Sequence, residues 1–196
     1  MLEHFNTQLF LLFNAPAGLH GISLWTVTAI AEWLIWLVPV GLTVLWSFGK
    51  LEDQRAAVKA LVAGLIALGV NQLIAMLWFH PRPFMAGIGH TYLAHVADSS
   101  FPSDHVTLLL TVGLALWTSD SIWARRLAGV LLAISPLVAW ARIYLGVHFP
   151  LDMAGAFGVA TGVLMLVNTI KGQNACYKLA EMIEGMYAMA FGRKRS

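Results

Sequence analysis

The sequence predicts an all-α integral membrane protein, a helical bundle with about five transmembrane helices in a single domain over residues 1–196. Hydrophobic residues make up 59% of the chain and charged residues only 11%, whereas soluble domains typically carry about 25% charged residues. Several apolar stretches reach the length of about 20 residues that crosses a hydrocarbon core of ~30 Å. Because lipid offers the backbone no hydrogen bonds, we expect these stretches to be helices.

Five apolar stretches, separated by polar or proline-containing breaks, give the predicted spans. They cover residues 22–48, 60–79, 106–118, 127–145 and 151–170. The third is short for a full crossing. We therefore extend it back to Ser103, a residue type that is favoured as a helix cap.

Apolar residues recur at helical spacing before the first span and after the last, which predicts interfacial helices at both termini. Ordinary docking helices would show the same periodicity, so this alternative stays open. The two stripes are Leu2, Phe5, Leu9, Leu12 and Phe13, and Cys176, Leu179, Met182, Ile183, Met186, Tyr187 and Ala190.

Ten of the 12 basic residues fall on one side of an alternating five-span bundle. By the positive-inside rule this side is cytoplasmic, so the loops at 79–104 and 146–150 face outward. The ten are Lys50, Arg55, Lys59, Arg125, Arg126, Lys171, Lys178, Arg193, Lys194 and Arg195. The other two, Arg82 and Arg142, lie at the predicted outer ends of helices.

Three predicted outward-facing segments concentrate the reactive side chains, and the alternating topology brings them together. They carry His80 and Arg82, then Ser103, Asp104 and His105, then Arg142, His148 and Asp152. His148 and Asp152 are four residues apart, so on one helix face the carboxylate would orient the imidazole. A histidine with an orienting carboxylate is typical of a base or a nucleophile.

Arg82 and Arg142 are costly at membrane depth unless an anion answers them. Phosphate fits best, because guanidinium groups donate forked hydrogen bonds to phosphoryl oxygens, and Ser103 with the amides that begin the third span adds further donors. Alternatively, the arginines snorkel to the interface and the histidines bind water. His80, His90 and His95 lack the spacing of metal ligands, so we assign no metal.

The segments Arg82-Pro83, Pro102-Ser103-Asp104-His105 and Arg142-x5-His148-x3-Asp152 resemble, in order and spacing, the three signature motifs of the type-2 phosphatidic acid phosphatase superfamily. The wording around them is similar to that of bacitracin-resistance-type undecaprenyl-diphosphate phosphatases. The resemblance implies a metal-independent phosphatase without a cofactor, whose substrate is a lipid diphosphate among membrane lipids. It implies no nucleic-acid partner.

The resemblance also implies residue roles. His148 would attack phosphorus and become phosphorylated, Asp152 would hold its other ring nitrogen, and His105 would protonate the leaving group. Arg82, Ser103 and Arg142 would bind the phosphoryl oxygens, with His80 and Asp104 as further phosphate-binding candidates. Three positions depart from the family pattern: Ala75 replaces a Lys, Asp104 a Gly and Ala141 a Ser.

We therefore expect a multi-pass phosphatase of the bacterial cytoplasmic membrane that hydrolyses undecaprenyl diphosphate from the outer side. A second possibility keeps the chemistry but acts on phosphatidate or phosphatidylglycerol phosphate. A third, of another class, is an anion transporter, and a fourth is a catalytically silent membrane protein that retains the fold. Glu32, a carboxylate inside the first span, stays open between a functional role and a hydrogen bond within the bundle.

Overall fold

The computed structural model describes residues 1–191, in which eight α-helices hold nearly all the regular structure. Arg193, Lys194 and Arg195, counted above on the cytoplasmic side, lie outside the described residues. The helices are α1 Leu2–Phe13, α2 Gly21–Trp33, α3 Leu37–Phe48, α4 Leu51–Leu77, α5 Asp104–Trp117, α6 Ile122–Tyr144, α7 Pro150–Val167 and α8 Ile170–Phe191.

Four helical stretches of the described chain are long and apolar enough to cross a membrane: Gly21–Phe48, which contains the 3-10 turn Leu34–Trp36, and the helices α4, α6 and α7. The fifth predicted span is α5, an apolar helix of 14 residues. At 1.5 Å per residue it is about 21 Å long, short of the ~30 Å hydrocarbon core.

Helix α5 lies at the centre of the bundle, where it contacts α4, α6 and α7. Leu109, Val112 and Leu116 on it are fully buried. Because neighbouring helices surround it, α5 does not have to reach both water layers by itself. Its short length also places its first turn, with Asp104 and His105, below the ends of the longer helices.

Two helices begin earlier than the apolar pattern predicts. Helix α4 starts at Leu51, so Arg55 and Lys59 lie on its first turns. Hydropathy finds only the part of a helix that lies in lipid, whereas charged residues with good helix propensity extend it into water. Helix α6 starts at Ile122, where Ser121 accepts a hydrogen bond from the amide of Ala124.

One end of the bundle is joined by polar contacts. The buried Asp53 accepts a hydrogen bond from the Lys50 amide at 2.7 Å and another from the hydroxyl of Ser121. The Lys59 ammonium donates to Thr118 at 3.1 Å and to Asn168 at 2.6 Å. These contacts bring together the junctions α3–α4, α5–α6 and α7–α8, so the opposite ends of α4, α5, α6 and α7 form the other rim.

Both terminal helices dock on the bundle by one face and expose apolar residues on the other. In α1, Asn6 and Phe10 are buried, and Asn6 accepts a hydrogen bond from the Leu151 amide at 3.1 Å. In α8, Cys176 and Ala180 are buried, and the helix packs on α4. The exposed apolar residues include Leu2, Phe5, Leu12, Met182 and Met186.

Asp53→Ala should lower the free energy of unfolding by about 2 kcal/mol, because the variant leaves the Lys50 amide and the Ser121 hydroxyl without their shared acceptor. Thermal unfolding of the purified protein in detergent measures the effect. Glu52→Ala, at an exposed position beside it, is the matched control and should be nearly neutral. Equal stability of the two variants would contradict this account of the basic end.

Candidate active site

His148 lies in the short connection between α6 and α7, at residues 145–149. Gly146 begins the turn with φ +82°, a conformation that favours glycine, and a Cβ at this position would collide with the carbonyl oxygen of His90. Leu145 and Val147 are fully buried, which draws His148 into the bundle with 1% of the residue exposed. The turn therefore fixes the imidazole below the rim.

Asp152 holds this imidazole in place. Its Oδ2 accepts hydrogen bonds from His148 Nδ1 at 3.0 Å, from the Phe149 amide at 2.8 Å and from the hydroxyl of Ser100. Helix α7 begins at Pro150, so His148 precedes the helix and does not share a helix face with Asp152, as the four-residue spacing predicted. The contact arises because Asp152 caps the first turn of α7 and His148 lies just before it.

Arg82 contacts the other nitrogen of the His148 ring. Its Nη1 lies 3.2 Å from Nε2 and donates to the carbonyl oxygen of Val147 at 2.9 Å. Its Nε donates to Asp98 at 2.7 Å, and its Nη2 donates to the Ser99 carbonyl at 3.2 Å. With the Nδ1 proton directed at Asp152, the Nε2 lone pair faces the Arg82 guanidinium.

Arg142 and Ser103 supply donors that no described residue uses. Arg142, in the last turn of α6, is 2% exposed, and its Nη1 donates weakly to the Ala31 carbonyl at 3.4 Å. Neither its Nε nor the hydroxyl of the fully buried Ser103 has a hydrogen-bond partner among residues 1–191. Unpaired buried donors are costly, which is typical of a site that awaits an anion.

Ser103 is placed as the sequence predicted, immediately before α5, but its hydroxyl does not cap the helix. Its backbone amide donates to the carbonyl oxygen of Asp152 at 3.3 Å. The hydroxyl is thereby left without an intramolecular partner, since the capping acceptors and donors lie elsewhere.

His105 lies in the first turn of α5 and is half-buried. It interacts electrostatically with Arg142, His148, His95 and Arg82. The two histidines of the second and third motifs therefore lie in one charge cluster with both arginines, on the same rim of the bundle.

Asp104 pairs with two neutral amides. Asn71 Nδ2 donates to its Oδ1 at 2.7 Å, and Gln72 Nε2 lies 3.4 Å from its Oδ2. Asn71 also donates to Thr107 at 3.0 Å, which confirms the prediction that these amides join helices. Asp104 neither caps α5 nor pairs with an arginine.

His80 is directed toward the N-terminal helix. Its Nε2 lies 3.4 Å from Glu3, and its ring packs against Trp78 and Phe149 at centroid distances of 5.7 and 5.6 Å. Through its backbone it positions the neighbouring loop, since its carbonyl accepts from the Ser100 amide at 2.7 Å. These contacts lend no support to a direct phosphate contact by the His80 ring.

Glu32 of α2 interacts electrostatically with Arg142. The carboxylate inside the first span therefore faces the deeper of the two arginines. This contact gives Glu32 a reason to lie within the bundle, as a partial counter-charge for a buried cation.

Three residues that sequence reasoning did not select join the site from the loop 78–103. Ser100 is fully buried against Asp152, and Asp98 pairs with Arg82. His95, interpreted above as a solvated loop histidine, has its ring centroid 6.4 Å from that of His148, with 22% of its side chain exposed. Residues in a loop have no periodicity, and only their closeness in sequence to Ser103 and His105 could have indicated them.

Metal ligands do not cluster in the described part of the chain: no group of three or more His, Cys, Asp or Glu side chains is placed to hold an ion. The positive charge near His148 comes from Arg82 and Arg142. Such an arrangement suits electrostatic stabilisation of a phosphoryl group by fixed guanidinium donors.

Burial lowers the pKa of His148 to about 4, and the charges of Arg142 and Arg82 act in the same direction. The hydrogen bond to Asp152 opposes them and raises the pKa. The ring is therefore neutral at pH 7, with a lone pair on Nε2. A neutral, oriented imidazole is what a histidine nucleophile requires.

Histidine NMR of the labelled protein in micelles tests this protonation state. The His148 ring should show no titration between pH 8 and pH 5, because its charged form becomes populated only near pH 4. The unfolded chain in urea is the control, where histidine titrates near 6.5. A His148 midpoint near 6.5 in the folded protein would contradict the burial argument.

The sequence profile of the PAP2 superfamily matches residues 56–176, more than half of the chain. YbjG of Escherichia coli strain K12 is 35% identical over 192 residues, which cover 97% of this chain and 94% of YbjG. Undecaprenyl-diphosphatase BcrC of Bacillus subtilis strain 168 is 34% identical over 131 residues, 67% of this chain and 66% of that protein.

Two solved structures share the fold. The phosphatidylglycerolphosphate phosphatase of Bacillus subtilis, a transmembrane PAP2-type protein, superposes with a TM-score of 0.64 at 19% identity, covering 89% of this chain and 86% of that one. Aquifex aeolicus LpxE gives a TM-score of 0.60 at 20% identity over 83% of this chain and 93% of that one. The motifs, the profile and the relatives agree, and this multi-pass membrane protein belongs to the PAP2 superfamily of phosphatases.

Proposed function

We propose that the protein hydrolyses undecaprenyl diphosphate to undecaprenyl phosphate and inorganic phosphate, through a phosphohistidine on His148. The observation that carries the proposal is the set of buried donors around His148 Nε2. Arg82 contacts this nitrogen, while Arg142 Nε and the Ser103 hydroxyl have no partner in the described chain. A phosphoryl group would satisfy all three donors at once.

The substrate follows from the relatives. BcrC of Bacillus subtilis and a protein of Sulfolobus acidocaldarius, 24% identical over 184 residues, carry the name undecaprenyl-diphosphatase. The bundle supports a lipid substrate, because the cluster lies at the rim of helices whose outer faces are apolar. An isoprenoid tail would stay in lipid while the head group enters the site.

In the first step, Nε2 of neutral His148 attacks the terminal phosphorus, so an N–P bond forms as the bond to the bridging oxygen breaks. The positive charge that develops on the imidazole is balanced by Asp152, which already holds the Nδ1 proton. Arg82 leaves Nε2 and, with Arg142 and Ser103, binds the phosphoryl oxygens. His80 and Asp104 remain at the edge of this cage through Glu3 and Asn71.

His105 supplies a proton to the departing lipid phosphate, and the freed imidazole then accepts a proton from water. This water attacks phosphorus, the N–P bond breaks, and inorganic phosphate leaves with His148 neutral again. A phosphate leaving group is already stable as an anion. We therefore expect proton donation by His105 to matter less than the binding of the phosphoryl oxygens.

We propose that the site faces the periplasm or exterior of a bacterial cytoplasmic membrane. The support is the charge distribution: Arg55, Lys59, Arg125 and Arg126 occupy the first turns of α4 and α6, opposite the rim that carries His148. Positive charge is retained on the cytoplasmic side. A used lipid carrier that appears on the outer side would then meet the site directly.

His148→Ala should abolish phosphate release, by at least about 1,000-fold, because the covalent step has no nucleophile. The measurement is phosphate release from undecaprenyl diphosphate by protein in detergent. His4→Ala, at an exposed position of α1, is the matched control and should keep full activity. A folded but fully active His148→Ala protein would contradict the proposed chemistry.

The same assay separates the substrates and the mechanisms. Undecaprenyl diphosphate should be hydrolysed faster than phosphatidate or phosphatidylglycerol phosphate, activity should survive chelators, and vanadate should inhibit because it imitates pentacoordinate phosphorus. A preference for either monophosphate lipid would assign the same chemistry to another substrate. Loss of turnover with chelators would show that the arginines are not sufficient.

Cysteine labelling tests the orientation. In a Cys176→Ala background, a cysteine in place of His90 should react with a membrane-impermeant thiol reagent in intact cells, because His90 lies on the rim of the site. A cysteine in place of Lys50, at the other end of the bundle, should react only after the membrane is permeabilised. The reverse pattern would place the site in the cytoplasm.

A further inference from the structure

His95 is the titratable group near His148 to which the mechanism gives no task. Its ring lies 6.4 Å from that of His148, at an interplanar angle of 75°. This distance excludes a hydrogen bond between the rings and leaves room for a phosphate oxygen beside each. The charged and titratable groups that face it are Arg82, Arg142, Asp98, His105 and His148.

One nitrogen of His95 is engaged and the other is free to meet a ligand. Nδ1 lies 3.1 Å from the carbonyl oxygen of Val96 and 3.7 Å from Asp98 Oδ1, so this nitrogen carries the proton of the neutral ring. No described residue forms a hydrogen bond with Nε2. When the ring takes up a second proton, Nε2–H becomes a charge-assisted donor.

The depths of the two histidines differ. His148 exposes 2% of its side chain, whereas His95 exposes 22%, so His95 lies on the aqueous side of the nucleophile. A terminal phosphoryl group that contacts His148 lies deepest, between Arg82 and Arg142. The next phosphate along a diphosphate then lies farther out, at the level of His95.

We infer that His95 binds the phosphate that stays on the lipid, and that it thereby makes the site selective for lipid diphosphates over lipid monophosphates. The inference rests on the proposed function. A monophosphate places an alcohol oxygen, which carries no charge, where the second phosphate would lie. His95 therefore contributes to binding only when a second phosphate is present.

Electrostatics supports the same role. Burial lowers the pKa of His95, and Arg82 and Arg142 act in the same direction, while Val96 and Asp98 raise it. The ring is neutral in the free site, and an arriving diphosphate supplies the negative charge that favours the imidazolium. His95 would take up one proton from water as the diphosphate binds and return it when the lipid phosphate leaves. Its contribution is thus present at lower pH and lost as pH rises.

The test compares farnesyl diphosphate with farnesyl phosphate, which share a tail and differ by one phosphate. His95→Asn should lower kcat/KM for the diphosphate by about 10- to 100-fold, the loss expected for one charge-assisted hydrogen bond. The monophosphate value should change by less than about 2-fold. If the wild type does not hydrolyse the monophosphate, its competitive inhibition constant replaces that arm.

Two further variants keep the test independent of folding. His90→Asn, on the same loop at an exposed position, should leave both values unchanged. His95→Lys restores a cation, so it should recover part of the diphosphate preference and keep it at a pH where the wild type loses it. Thermal unfolding of all variants excludes a general loss of structure.

The outcomes separate this inference from the proposed function. If the wild type hydrolyses no farnesyl diphosphate and no undecaprenyl diphosphate, the proposed function fails. If the wild type is active and His95→Asn lowers both substrates equally, His95 acts on the transferred phosphoryl group and the selectivity role is overturned. An unchanged diphosphate value in His95→Asn overturns it as well.

Discussion

The three-way hydrogen bonding of Asp152 is the interaction on which the rest of the site depends. A single carboxylate oxygen caps α7 through the Phe149 amide, orients His148 through Nδ1 and holds the loop 78–103 through Ser100. The start of a helix, the nucleophile and the loop with the outer arginine are thereby fixed to one point. Ordering three elements through one buried group gives the preorganisation that electrostatic stabilisation requires.

The arginines show the cost of such a site in a membrane protein. Arg82 has its charge answered by Asp98, while Arg142 is almost fully buried with only Glu32 and more distant carboxylates near it. A buried cation with an unpaired donor destabilises the free protein. The same donor binds an anion more strongly than it would in water, so the destabilisation of the empty site contributes to binding the phosphoryl group.

Much of the fold follows from the sequence because hydropathy and the positive-inside rule are direct consequences of the bilayer. The order of the spans and the meeting of the three motifs at one rim are examples. The start of α4 at Leu51 was missed, since Arg55 and Lys59 lie on a helix that extends beyond the lipid. The His148–Asp152 contact was predicted, but through a shared helix face, whereas it is made across the N-terminus of α7.

The loop 78–103 could not be predicted at this level. Its conformation depends on tertiary contacts such as those of Asn14 with His90 and of the Tyr92 amide with the Leu145 carbonyl. Three departures from the family pattern acquire a physical meaning only through such contacts. Ala75 removes a cation and Asp104 adds an anion that Asn71 and Gln72 satisfy, so the rim carries less fixed positive charge than the pattern implies. A histidine that becomes charged only beside an anion can restore part of it, and a phosphate leaving group demands less of the remainder than an alcohol would.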